Sequence, residues 1–101
     1  MDTVQSINLI ATNPNVRNGR PCIAGTGLLV TDIVIAHIFH QRSPGEIASD
    51  YDISLAAVHA ALAYYYQNKE TLDDEIRRQI ARAREAKEQR IGSGGDPLLP
   101  R

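Results

Sequence analysis

Three histidines, a single cysteine and a run of carboxylates are the side chains here with the most chemistry in them. His37 and His40 stand three apart, on one face if the segment is helical, and would need ligands from elsewhere to hold a metal. No His-Glu-x-x-His or equivalent spacing is present. Cys22 has no second cysteine, which excludes an internal disulfide and a cysteine zinc cluster. Its place beside Pro21 suits a small buried hydrophobe. Asp73-Asp74-Glu75 opens a helical stretch, where carboxylates stabilise the positive end of the helix dipole. Gly25-Thr26-Gly27 lacks the wider glycine spacing of a phosphate loop and reads as a backbone bend. No nucleophile with its base, no catalytic carboxylate pair and no metal set emerges. The expectation is a binding protein, not an enzyme, with no cofactor.

Two groups of residues suit binding. Arg17, Asn18 and Arg20 lie in a turn-forming stretch and could grip phosphates as a wing does. Ser54, at a helix start, and His59, on that helix's outer face, complete the candidate DNA contacts. That face carries Leu55, Ala56, His59, Ala60 and Ala63, with no Arg, Lys, Asn or Gln to read base edges before Gln67. The second group is the thin stripe Leu72, Ile76, Ile80 and Ala83 on a charged helix, with Arg77 and Arg84 beside it. It is the candidate partner-binding surface, shaped for a groove on another protein or for its own twin.

The elements that must position these residues centre on 43–66. Ser43 is an N-cap, Pro44 suits the first helical position, and Glu46 completes a capping box. Ile47 and Ala48 face inward. Asp52 supplies left-handed geometry at the turn where glycine is often found, Ile53 plugs it, and Ser54 caps the next helix. Val58, Leu62 and Tyr65 form the buried side of that helix. This spacing is that of a helix-turn-helix; the alternative is a plain helical hairpin in a small bundle. Upstream, Ile7–Ala11 is a short apolar run of strand-like residues, Asn18-Gly19 is a hairpin turn signal, and two or three short strands are expected over this region as far as Val30. Thr31 is expected to cap a core helix over 33–41, burying Val34, Ile35, Ile38 and Phe39. Downstream, Thr71 is expected to cap the long charged helix. The expected organisation is a hairpin plus helix-turn-helix over 1–70, the charged helix over 71–91, and a flexible Gly- and Pro-rich tail over 92–101.

The chain has 101 residues, 43% of them hydrophobic and 5% aromatic, with no tryptophan. A core of Ile, Leu, Val and Ala on so short a chain is marginal and favours a homodimer or a permanent partner. The net charge of −1 does not mark the whole chain as a nucleic-acid binder. The charge is segregated. Glu70, Asp73, Asp74 and Glu75 stand together without a base, whereas Arg77, Arg78, Arg82, Arg84, Lys87 and Arg90 follow against Glu85 and Glu88. No signal peptide is expected from the acidic start, and no apolar run spans a bilayer, so the expected location is the cytoplasm.

Several spaced motifs occur in one order: Asn18-Gly19-Arg20-Pro21; Ile23-x-Gly25-Thr26 followed by Val30; Ser43-Pro44-x-Glu46-Ile47; Tyr51; and Ala60-Ala61-Leu62-x-Tyr64-Tyr65. By these the chain resembles the bacterial family called domain of unknown function 433, over roughly its first three quarters. The resemblance implies a mainly α, homeodomain-like helix-turn-helix fold with an N-terminal β-hairpin and a long C-terminal helix. It also implies an antitoxin-like role: binding and neutralising a PIN-like ribonuclease toxin, and acting on operator DNA as a dimer. A dimeric DNA-binding regulator without a toxin partner is the alternative. The family commonly has Thr-Arg after the glycine, where this chain has Thr26-Gly27, which removes one contact. No catalytic residues come with the resemblance.

Overall fold

The structure is a computed structural model and describes residues 1–93. It is mainly helical, with a small N-terminal antiparallel hairpin and a long C-terminal helix. Two compact units make up the chain, one from Met1 to Lys69 and a second beginning at Glu70.

In the first unit, β1 (Ile10–Ala11) pairs antiparallel with β2 (Cys22–Ile23), Ile10 opposite Ile23 and Ala11 opposite Cys22. The strand partner of β2 therefore comes from the strand-like Ile7–Ala11 run, and Asn18-Gly19 lies inside the long connection between the two strands instead of forming a two-residue hairpin loop. Between the strands the backbone makes two tight reversals. Asn13 accepts the Asn15 N–H on Oδ1 and the Val16 N–H on its carbonyl, both at 2.9 Å. Arg17, Asn18 and Gly19 then take φ values of 49°, 58° and 77°, a left-handed turn. Glycine adopts this at no steric cost and asparagine at little. Arg17 bears the strain, which the bond from its Nη1 to the Gly27 carbonyl (3.0 Å) helps offset. After β2 the chain folds back on itself: the Ile23 N–H reaches the Leu28 carbonyl at 2.9 Å, and Thr26 Oγ1 bonds the Ile23 carbonyl at 2.8 Å. The bend expected at Gly25-Thr26-Gly27 is real.

Helix α1 (Val30–Val34) starts one residue after Leu29, whose N–H donates to Asp32 Oδ2 at 3.0 Å. Asp32, in the third position, completes the start. Thr31 is not the cap: it is buried inside the first turn, where its Oγ1 accepts from Arg20 at 3.4 Å. The helix then widens into a π turn, Ile35–Phe39, closed by the His40 N–H to the Ile35 carbonyl at 3.1 Å. A π turn inserts a residue into the helical repeat, so residues beyond it leave the stripe that the 3.6 period assigns them. Val30, Ile33 and Val34 are accordingly buried, whereas Ile38 is 40% and Phe39 55% exposed. The wide buried face expected through Phe39 stops at Ala36.

Helices α2 (Pro44–Tyr51) and α3 (Leu55–Gln67) form the predicted pair. The Ser43–Glu46 capping box is present in both directions, at 3.1 and 2.9 Å. Asp52 sits in the left-handed region (φ 55°, ψ 49°), and Ser54 Oγ accepts the Ala57 N–H at 3.0 Å. Ile47, Val58, Ala61, Leu62 and Tyr65 are buried, and α3 packs on α1, α2 and β1. Asn68 ends α3 by bonding the Tyr64 carbonyl from both its backbone and its side chain.

Helix α4 (Lys69–Ser93) starts two residues before Thr71, which is interior and not a cap. Leu72 and Ile76 are buried, Ile80 is half-buried, and Ala83 is exposed. The tail expected over 92–101 lies outside the described residues from position 94 onward.

Candidate interaction surfaces

The helix-turn-helix is built by local chemistry. Two side-chain caps and one left-handed residue fix where α2 ends and α3 begins, so the outer face of α3 is set by the sequence itself. Leu55, Ala56, His59 and Ala63 are exposed on it, as expected. Its electrostatics are the reverse of what a phosphate backbone requires. Between Ser43 and Asn68 stand Glu46, Asp50 and Asp52, with no Lys or Arg. Of the two flanking cations, Lys69 lies over the Tyr65 ring, 5.6 Å from its centroid, and Arg42 is engaged by α2. Its Nε donates to Asp50 Oδ2 at 3.1 Å, Nη2 pairs with the same oxygen, and Nη1 lies 3.5 Å from Glu46 Oε2. These bonds push the Arg42 pKa up, the bond to Asp50 first. The Ser43 backbone N–H, then Arg42, holds Glu46 below its ordinary carboxyl value. Sequence reasoning missed this cluster, although the spacing Arg42–Glu46–Asp50 signals it.

The N-terminal candidates are placed as follows. Arg17 and Asn18 are exposed in the left-handed turn, and Arg17 gives one donor to the Gly27 carbonyl. Arg20 is half-buried against Thr31. They therefore clamp the 17–20 turn to the 25–31 segment. An open cleft of about 490 Å³ runs between the two loops, lined by Asn13, Cys22 and Thr26 among others. Cys22 is buried, and that burial pushes its thiol pKa up, so it is a poor nucleophile. Ser54 is used as a cap, and His59 is exposed. His37 Nδ1 lies 2.9 Å from the Arg42 carbonyl, which can only accept, so the proton sits on Nδ1 and the ring closes the π turn. Among the described residues no three His, Cys, Asp or Glu side chains converge as metal ligands, and no helix is long and apolar enough to cross a membrane.

On α4, Arg77 pairs with Asp74 one turn back, and Arg78, Arg82, Arg84 and Lys87 are exposed. Of the candidate anchors, Leu72 and Ile76 are covered, so the apolar stripe opens to solvent only from Ile80 onward. Arg78, Arg82, Arg84 and Lys87 are thus gathered on the later turns of this rod, whereas no Lys or Arg stands between Ser43 and Asn68.

The chain matches the family described as protein of unknown function (DUF433) over residues 10–65. It is also similar to a crystal structure of a DUF433 member protein from Anabaena variabilis, at 30% identity and a TM-score of 0.61, covering 68% of each chain. No curated protein matches it.

Proposed function

The chain belongs to the DUF433 family, and on that premise we propose that it is a homodimeric, antitoxin-like binding protein whose target is a PIN-like ribonuclease toxin. The observation that carries this reading is the segregation of charge. A DNA-reading helix-turn-helix gains most of its affinity from cations set against phosphates. This one presents Glu46, Asp50 and Asp52 and an alanine-rich outer face. Its form is that of a DNA reader, but its surface suits protein. The cations stand instead on α4, as Arg78, Arg82, Arg84 and Lys87. Such a rod complements an acidic cleft, and a metal-dependent nuclease gathers carboxylates to hold its ions. Docked there, α4 blocks substrate entry by occupancy and by charge. The chain acts by binding and carries no catalytic step of its own.

The test is co-expression with a neighbouring reading frame that encodes a PIN-like nuclease. The two proteins co-purify, and ribonuclease activity of the toxin is suppressed in the complex. Arg82→Glu with Arg84→Glu, both exposed, releases that activity while leaving the fold intact. Unchanged suppression by the double variant refutes the role given to α4.

A further inference from the structure

The helix-turn-helix leaves large apolar side chains in water where its own packing could have covered them. Tyr51, the last residue of α2, is 44% exposed, and Leu55, the first of α3, is 50% exposed. They bracket Asp52, with Asp50 and Glu46 on the same short helix as Tyr51. Glu46 and Asp50 share one guanidinium, that of Arg42, and Asp52 adds a third carboxylate, so the surface keeps a negative balance after its internal ion pairs are made. An apolar patch with an acidic rim is the surface that an amphipathic helix with a basic rim would cover.

The chain itself carries such a helix. From Ile80 on, α4 opens a stripe of Ile80 and Ala83, with Arg84 and Lys87 within one turn of it on the same side. We infer that the Tyr51–Leu55 surface of one copy receives the basic half of α4, residues 80–87, from a second copy. The inference rests on the homodimer of the preceding section and names the surfaces that make it. The match is one of charge and of hydrophobicity together. The acidic rim meets Arg84 and Lys87, and the apolar centre meets Ile80 and Ala83. Because each copy owns both surfaces, reciprocal exchange closes a two-fold pair, and because Arg84 and Lys87 belong to the stretch that meets the toxin, toxin and second copy compete for this half of α4.

The experiment is the mass of the full chain by light scattering over a dilution series, with exposed residues changed on each side. Leu55→Lys places a cation against the incoming arginine and lysine. Arg84→Glu with Lys87→Glu places carboxylates against the acidic rim. Each change weakens dimerisation by at least about tenfold, since like charges at an interface are strongly unfavourable. With all three substitutions in one chain, the new ammonium at position 55 meets the new carboxylates at positions 84 and 87 of the partner copy, and most of the affinity returns. Far-ultraviolet circular dichroism on every variant checks that the helices are retained. A dimer whose affinity moves less than twofold in the variants overturns the docking surface and leaves the dimer standing. Losses that add with no recovery in the combined variant also overturn it. A wild-type monomer at every concentration removes both the dimer and the docking.

Discussion

The sharpest test of the fold is a pair of identical truncations, Ile47→Ala and Ile38→Ala. Hydrophobic periodicity assigns both isoleucines to the core. The structure buries Ile47 completely, at 0% exposure, and leaves Ile38 40% exposed beyond the π turn. Removing three carbons from a fully buried isoleucine forfeits roughly 2.4 kcal/mol of transfer free energy at about 0.8 kcal/mol per methylene. A cavity of about 80 Å³ adds up to about 1.9 kcal/mol at roughly 24 cal/mol per Å³ if nothing collapses into it. Helix α2 has only eight residues and is free to shift towards α3, so part of the cavity closes. The expected loss is about 3 kcal/mol, a drop in Tm of roughly 12–24 °C for a domain of this size. At Ile38 no sealed cavity forms, and only the covered part of the side chain counts, so the loss is about 1–1.5 kcal/mol. Urea unfolding followed by circular dichroism, at a concentration low enough to keep the chain monomeric, reads both values. Equal losses at the two sites would refute the π turn as the element that moves Ile38 out of the core. A loss below about 1 kcal/mol at Ile47 would refute the packing of α2 on α3.

Two further outcomes follow from the same geometry. Gly25 has φ 79° and open space around its Cα, so Gly25→Ala costs about 1 kcal/mol through backbone strain alone, whereas Gly27→Ala, also in open space and without a positive φ, is close to neutral; thermal melts of the two variants check it. The Glu46 carboxyl is held below its ordinary value by the Ser43 N–H and Arg42, so its contribution to the start of α2 is complete above the unfolded value of about 4.3 and is lost as pH falls through the lower folded value. Glu46→Gln keeps the cap and removes that pH dependence, which acid titration of the helical signal measures; an unchanged acid transition contradicts it.

Residues whose partners lie within one turn were legible in the sequence. Ser43 with Glu46, Ser54 with Ala57, and the left-handed Asp52 depend on three or four consecutive residues. Their hydrogen bonds could be written down before any packing was known. Which residues share the outer face of α3 then followed from the helical period, once Ser54 set where the helix starts. The charge segregation that separates the helix-turn-helix from α4 was a matter of composition and needed no fold at all.

Features that depend on distant partners were not legible. Pairing of Ile10–Ala11 with Cys22–Ile23 is settled by which strand fits against α3, and strands of two residues carry too little pattern to announce it. Asn18-Gly19 does signal a chain reversal, but the dipeptide carries no information about which strands that reversal joins. Arg17 and Arg20 read as free cations in the sequence, and only the folded loops put the Gly27 carbonyl and the Thr31 hydroxyl within their reach. The π turn is the clearest case. Nothing in Ile35–Phe39 distinguishes it from an α-helix by propensity, and the extra residue is accommodated through long-reach bonds from His40 and Arg42 back to Ile35 and Ala36. Sequence determines which bonds a segment can make with its neighbours; tertiary packing decides between backbone geometries of nearly equal local energy, and with them which isoleucine is core and which is surface.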